Sequence, residues 1–155
     1  KKVGLVTDGG YPCISDPGYR IVSQAIDAGY SIEVIPGASA VPVALLLSGL
    51  PVSSYTFKGF PPRKSGQRQN FFSMESELPH TIICFESPHR IADTLADALA
   101  ALGDRKAAVC LELTKLHQRV HRGYLADLNV TFSNEPTKGE ATIVIAGNNR
   151  KFVRR

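Results

Sequence analysis

The segment Thr7-Asp8-Gly9-Gly10-Tyr11-Pro12-Cys13-Ile14-Ser15-Asp16-Pro17-Gly18 sets an acid beside two glycines, directly after the apolar run 3–6 and ahead of the amphipathic run 19–28. A carboxylate there can accept hydrogen bonds from hydroxyl or ammonium groups, and glycine lets a ligand approach the backbone closely. The competing reading is a tight turn with Asp16 as helix N-cap and Pro17 at the first helical position. It accounts for the second half of the segment and leaves Asp8-Gly9-Gly10 open. In Glu86-Ser87-Pro88-His89-Arg90, Ser87 and Pro88 read as a helix start. What remains is a carboxylate at Glu86 and an imidazole at His89, either of which could orient or deprotonate a hydroxyl, as Asp8 could. Arg63, Lys64 and Arg68 form a basic cluster with Phe60 and Phe71 close by in sequence. Such a cluster suits phosphate contact with base stacking, or else is a solvated charge group beside core aromatics.

The elements that would position these groups alternate along the chain. Strand-like runs occur at residues 3–6, 31–35, 55–58, 81–85, 107–111 and 141–145, and helix-like runs at 17–28, 38–48 and 88–102. The last is the clearest, with Ile91, Leu95, Ala98, Leu99 and Leu102 on one face and Gly103 after it. Residues 119–122 suggest a short strand and 125–132 a weak helix. The alternation predicts an α/β architecture with mostly parallel sheets, whose strand-end loops would carry the ligand. A polar linker at 50–54 predicts a boundary between a first α/β region, 1–52, and a second, 53–147, with a basic tail at 148–155. Residues 1–49 supply only two strands and two helices. With no initiator Met as well, the expectation is a fragment whose amino-terminal strands are absent.

Composition excludes several classes. With 155 residues and 43% hydrophobic content the chain can bury a core, and a formal net charge of +4 is too mild to define a partner. The greasiest run, 41–50, ends at Pro51 and is too short to cross a bilayer. Three cysteines without metal-type spacing, two of them in apolar runs, fit core thiols in a reducing cytosol. The His117/His121 pair lacks an acidic partner, so no metal site is expected.

Six segments taken together resemble one family. They are the Asp8–Gly18 segment, Ile35-Pro36-Gly37-Ala38-Ser39-Ala40, Gly59-Phe60-Pro61-Pro62-Arg63-Lys64, Phe85-Glu86-Ser87-Pro88-His89-Arg90, Glu112-Leu113-Thr114-Lys115 and Lys138-Gly139-Glu140. In this order the chain resembles the ribosomal RNA small subunit methyltransferase I family of the tetrapyrrole methylase superfamily. The resemblance implies two α/β domains, S-adenosylmethionine as cofactor, methylation of a cytidine ribose 2′-hydroxyl in 16S ribosomal RNA, a cytoplasmic location and assembly as a homodimer. It implies cofactor contacts at Asp8, Gly10, Ile14, Ser39, Ala40, Glu86, Leu113 and Thr114, and RNA contacts at Arg63, Lys64 and Arg68. Glu86 and His89 are the catalytic candidates. It also implies a further stretch before residue 3 with a Gly-Asn-Leu-type loop. Departures from the pattern are Gly9 for an alanine, Leu111 where an arginine is usual, and Gln118-Arg119 in place of an acidic pair. Two alternatives stay open: a small-molecule tetrapyrrole methylase of precorrin or uroporphyrinogen type, and a non-catalytic RNA-binding or dimerisation module.

Overall fold

The computed structural model describes residues 1–154, and the chain divides into two units, Lys1–Ala40 and Val41–Arg155. In the first, helix α1 (Tyr19–Asp27) follows the Asp8–Gly18 loop and stops before Gly29, whose positive φ of 77° suits glycine. Helix α1 begins two residues later than the Pro17 reading predicts, because Gly18 takes φ 132° at the cap and accepts the first helical hydrogen bonds from Ile21 and Val22. A Cβ at Gly18 would sit 2.7 Å from Leu5 and 2.9 Å from the Cys13 sulfur, so the position excludes a side chain. The runs 3–6 and 31–35 form no strand and are absent from the sheet. Their apolar side chains remain exposed, Val3 at 93% and Ile35 at 84%.

The second unit is built on one five-stranded sheet in the order β1-β2-β5-β3-β4, formed by β1 (Tyr55–Phe57), β2 (Thr81–Glu86), β3 (Lys106–Leu111), β4 (Arg119–Tyr124) and β5 (Ala141–Ile145). Only β1 and β2 are parallel; β2/β5, β5/β3 and β3/β4 are antiparallel. The expectation of mostly parallel sheets is therefore corrected. The turn from β3 to β4 is too short for a parallel crossover, and β5 returns between β2 and β3 running against both.

Strands β2, β3 and β5 read as continuous apolar runs because both of their faces are covered. Ile82, Cys84, Val109, Leu111, Ile143 and Ile145 point to one face, where α3 (Ser65–Ser73), α4 (Ile91–Leu102) and α5 (Leu125–Asn134) contribute Phe72, Leu95 and Leu128. Ile83, Ala108, Cys110 and Val144 point to the other, where α2 (Ala40–Ser48) lays Val41, Ala44 and Leu45. Helix α2 thus packs with the second unit, although it precedes the linker at 50–54. Truncating one of these fully buried residues, such as Leu95 to alanine, costs about 2–5 kcal/mol. The segment 148–154 is no loose tail: Val153 bridges Arg105, and Arg154 pairs with Asp127 and Asp104 while lying 4.0 Å over the Tyr124 ring. Among the described residues no helix is long and apolar enough to cross a membrane.

Candidate functional site

In the first unit the acid–glycine loop is strained. Gly10, Cys13, Ser15 and Gly18 all have positive φ, and two of them carry side chains in that region. The loop borders a recess of about 320 Å³ lined by residues 5–8, 16–18 and Ile21, near the lower limit for small-molecule sites. Asp8 lines the recess and is exposed; Gly10 and Ile14 are exposed on the loop outside it. No atom lies within 4 Å of where a Gly10 Cβ would stand, so its backbone is open to a ligand. The Tyr11 hydroxyl accepts a hydrogen bond from the Gly37 amide at 2.8 Å, tying this loop to the Pro36-Gly37-Ala38-Ser39-Ala40 turn that opens α2. Two segments 26 residues apart thereby become one wall. Ser39 and Ala40 are half-buried on it. The exposed Asp8 carboxylate can accept from hydroxyl or ammonium groups, and the open backbone at Gly10 lets a ligand approach closely.

In the second unit the sheet register gathers the remaining segments. Glu86 pairs with Ala141, Ala141 with Leu111, and Leu111 with Arg119, so the end of β2, the end of β3 and the start of β5 lie in one row. The Gly59–Lys64 segment joins them, because Phe85 donates its amide to the Gly59 carbonyl and Arg90 donates to the carbonyls of Pro61 and Pro62. Past β3, Glu112 and Thr114 hold φ of 49° and 63°. The Glu112 carboxylate accepts from the Glu140 amide at 2.7 Å and from Lys115, which also reaches Glu140. Hydrogen bonding from the Glu140 amide, then from Lys115, holds the Glu112 carboxyl below its usual range. Gly139 sits against that carboxylate so closely that a Cβ would overlap it. The Thr114 amide donates to the Gln118 side chain, leaving its hydroxyl and carbonyl for other partners, while Leu113 is half-buried against the sheet.

Two of the expected site residues, Glu86 and Arg68, are buried. Glu86 has a fully buried side chain: one oxygen accepts from the Ser87 amide at 2.7 Å, the other from the Thr94 hydroxyl at 2.6 Å, with Arg90 at 3.3 Å. These contacts lock the entry to α4. Arg68 is 4% exposed and bound to Asp97 through Nε at 2.7 Å and Nη2 at 2.6 Å, so its guanidinium is spent inside the unit instead of on phosphates. Arg63 and Lys64 are exposed. Phe60 is 55% exposed and packs its ring 5.6 Å from Phe85, whereas Phe71 is engaged by Phe72 and by the Lys58 ammonium 4.3 Å from its ring. His89 is exposed beside a second recess of about 330 Å³ bordered by residues 132–137. Burial raises both buried thiols, Cys84 well above the usual range and Cys110 to about 11, so neither is a nucleophile. Sequence reasoning missed the Tyr11–Gly37 tie and the Glu112–Gly139 contact, for which no local pattern exists.

The family model for tetrapyrrole (corrin/porphyrin) methylases matches residues 1–129. The chain belongs to the tetrapyrrole methylase family. Within that family it is similar to proteins named ribosomal RNA small subunit methyltransferase I. It is 47% identical over 144 residues to the one from Mycobacterium tuberculosis (strain ATCC 25618 / H37Rv), an alignment covering 92% of this chain and 50% of that protein. The chain spans about half the length of the curated relatives it matches. Among solved structures, the methyltransferase CobJ superposes with a TM-score of 0.65 at 13% identity, covering 90% of this chain and 62% of that one. Uroporphyrin-III C-methyl transferase from Thermus thermophilus, complexed with S-adenyl homocysteine, gives 0.58 at 19% identity, with 89% and 63% covered. At such identities these two structures establish the tetrapyrrole methylase fold.

Proposed function

We propose that the protein is a cytoplasmic S-adenosylmethionine-dependent methyltransferase that modifies a cytidine ribose 2′-hydroxyl in 16S ribosomal RNA and works as a homodimer. The observation that carries this reading is the 47% identity, across 92% of the chain, to a protein named ribosomal RNA small subunit methyltransferase I. In this reading the cofactor is held by Asp8, Gly10 and Ile14 of the loop and by Ser39 and Ala40 of the turn. Bound, the cofactor supplies a methyl group on a sulfonium centre. Because that leaving group is already activated, in-line positioning matters more than a strong base. Asp8 accepts hydrogen bonds from the cofactor's polar groups. His89, an exposed imidazole, is the proton acceptor for the ribose hydroxyl in this reading.

Arg63 and Lys64 are the RNA contacts in this reading, with Phe60 available to stack on a base. Their test is RNA affinity across a salt series for the natural full-length protein and its Arg63→Ala/Lys64→Ala form. Losing two phosphate contacts lowers the slope of log affinity against log salt by roughly 1–2. Superimposable slopes would remove the RNA role of this segment.

A further inference from the structure

We propose that Arg68 and Arg90 form a two-sided clamp on the Pro61-Pro62-Arg63-Lys64 turn and so act as positioning residues that present Arg63 and Lys64 together to a polyanion. The inference rests on the RNA reading above. Three successive carbonyls of the turn are tied down. Arg90 Nη2 donates to Pro61 at 2.8 Å and Pro62 at 2.9 Å, and Arg68 Nη1 donates to Pro62 at 3.3 Å and Arg63 at 3.1 Å. Each arginine is itself fixed on a buried carboxylate: Arg68 on Asp97 of α4, and Arg90 on Glu86, which Thr94 of α4 also holds. The turn is therefore keyed to one helix through both cations. Its two prolines add stiffness, since each has a fixed φ and no amide hydrogen to bond elsewhere.

Buried ion pairs are a poor way to gain stability and a good way to fix geometry. Here the geometry fixed is that of a turn whose next two side chains are exposed cations. A preordered pair of cations binds phosphate without the entropy cost of ordering the backbone beneath it.

The test is binding of 16S ribosomal RNA by the natural full-length protein, with amide exchange measured over residues 59–66. Arg90→Gln shortens the donor, frees the Pro61 carbonyl and leaves Pro62 held by Arg68 alone. Exchange in the turn should quicken and RNA affinity should fall about three- to tenfold, the cost of ordering one or two long side chains on binding. Arg90→Lys, whose single ammonium can donate to both carbonyls, should recover most of the loss. Pro62→Gly should reproduce the loss without touching either ion pair, which keeps the test open if Arg90→Gln does not fold. The decisive comparison repeats Arg90→Gln and Pro62→Gly in the Arg63→Ala/Lys64→Ala background, where neither should weaken binding further. Equal losses in both backgrounds, or unchanged affinity with a loosened turn, would overturn the clamp. If Arg63→Ala/Lys64→Ala alone binds like the parent, it is the RNA reading that fails.

Discussion

Arg68→Ala separates a buried structural cation from the exposed ones beside it. Arg68 is 4% exposed and gives Asp97 Oδ2 a charge-assisted hydrogen bond from Nε at 2.7 Å, with Nη2 2.6 Å from the same oxygen in the ion pair. Its removal leaves the carboxylate, itself buried, with only the Ser65 hydroxyl and the Gln69 amide, each at 2.8 Å. Breaking one side of a buried pair costs about 3–5 kcal/mol, because the remaining charge keeps its desolvation penalty and loses its counter-charge. For a unit of this size the melting temperature should fall by roughly 10–20 °C. Arg63→Ala and Lys64→Ala, at exposed positions, should each stay within about 0.5 kcal/mol of the parent. Thermal melts at neutral pH, followed by circular dichroism, compare the three. A second arm replaces both partners with leucine; it should recover much of the loss, since an apolar pair carries no desolvation penalty. If Arg68→Ala melts with the parent, the buried pair is not the structural element described here.

Asp8→Ala in the natural full-length protein should weaken S-adenosylmethionine binding about tenfold, the worth of one charge-assisted hydrogen bond, with little change in melting. Titration calorimetry beside a thermal melt checks it, and a collapsed melt with normal binding would favour the plain-turn reading. Gly139→Ala should destabilise by about 1–3 kcal/mol and disturb the end of β3, because φ is 90° there and the Glu112 carboxylate occupies the space a Cβ needs; urea unfolding reads the loss. Burial raises the Asp97 carboxyl, but hydrogen bonds from Gln69 and Ser65 and the Arg68 charge outweigh it, so its folded value lies below the ordinary 3.8. A depressed carboxyl stabilises the fold above its unfolded value and loses that contribution as pH falls through the folded one. Stability should therefore drop below about pH 4, and Asp97→Asn should show a smaller drop across the same range in acid unfolding curves.

The elements readable from sequence are those whose signal is local. Helix α4 declares itself because Ile91, Leu95, Ala98 and Leu102 recur on one face and Gly103, at φ 76°, can stop the helix. Strand β5 declares itself as a short β-branched run, Thr142 to Ile145, buried throughout because both sheet faces are covered. Pairing direction is not local: β5 lies between β2 and β3 by virtue of partners far along the chain, and helix–strand alternation alone suggested parallel strands. Helix α3 escapes because Ser65–Ser73 carries no apolar stripe; it is held by Arg68, Gln69 and Ser65 reaching Asp97, 28 to 32 residues away, and by Phe72 in the core. For the same reason sequence could not separate Arg68 from Arg63 and Lys64, nor show that the Glu86 carboxylate is held by Ser87, Thr94 and Arg90. Segments chosen one by one from the sequence could not show that Tyr11 meets Gly37, or that Glu112 meets Gly139 and Glu140.

The most direct test is methyl transfer from radiolabelled S-adenosylmethionine to 16S ribosomal RNA in purified small subunits by the natural full-length protein, with Asp8→Ala and Arg63→Ala/Lys64→Ala run in parallel. Label should appear on a single cytidine ribose. Asp8→Ala should raise the cofactor concentration needed for half-maximal transfer, and Arg63→Ala/Lys64→Ala should raise the subunit concentration needed. Absence of label from RNA while the protein methylates a tetrapyrrole, or transfer indifferent to both variants, would contradict the account.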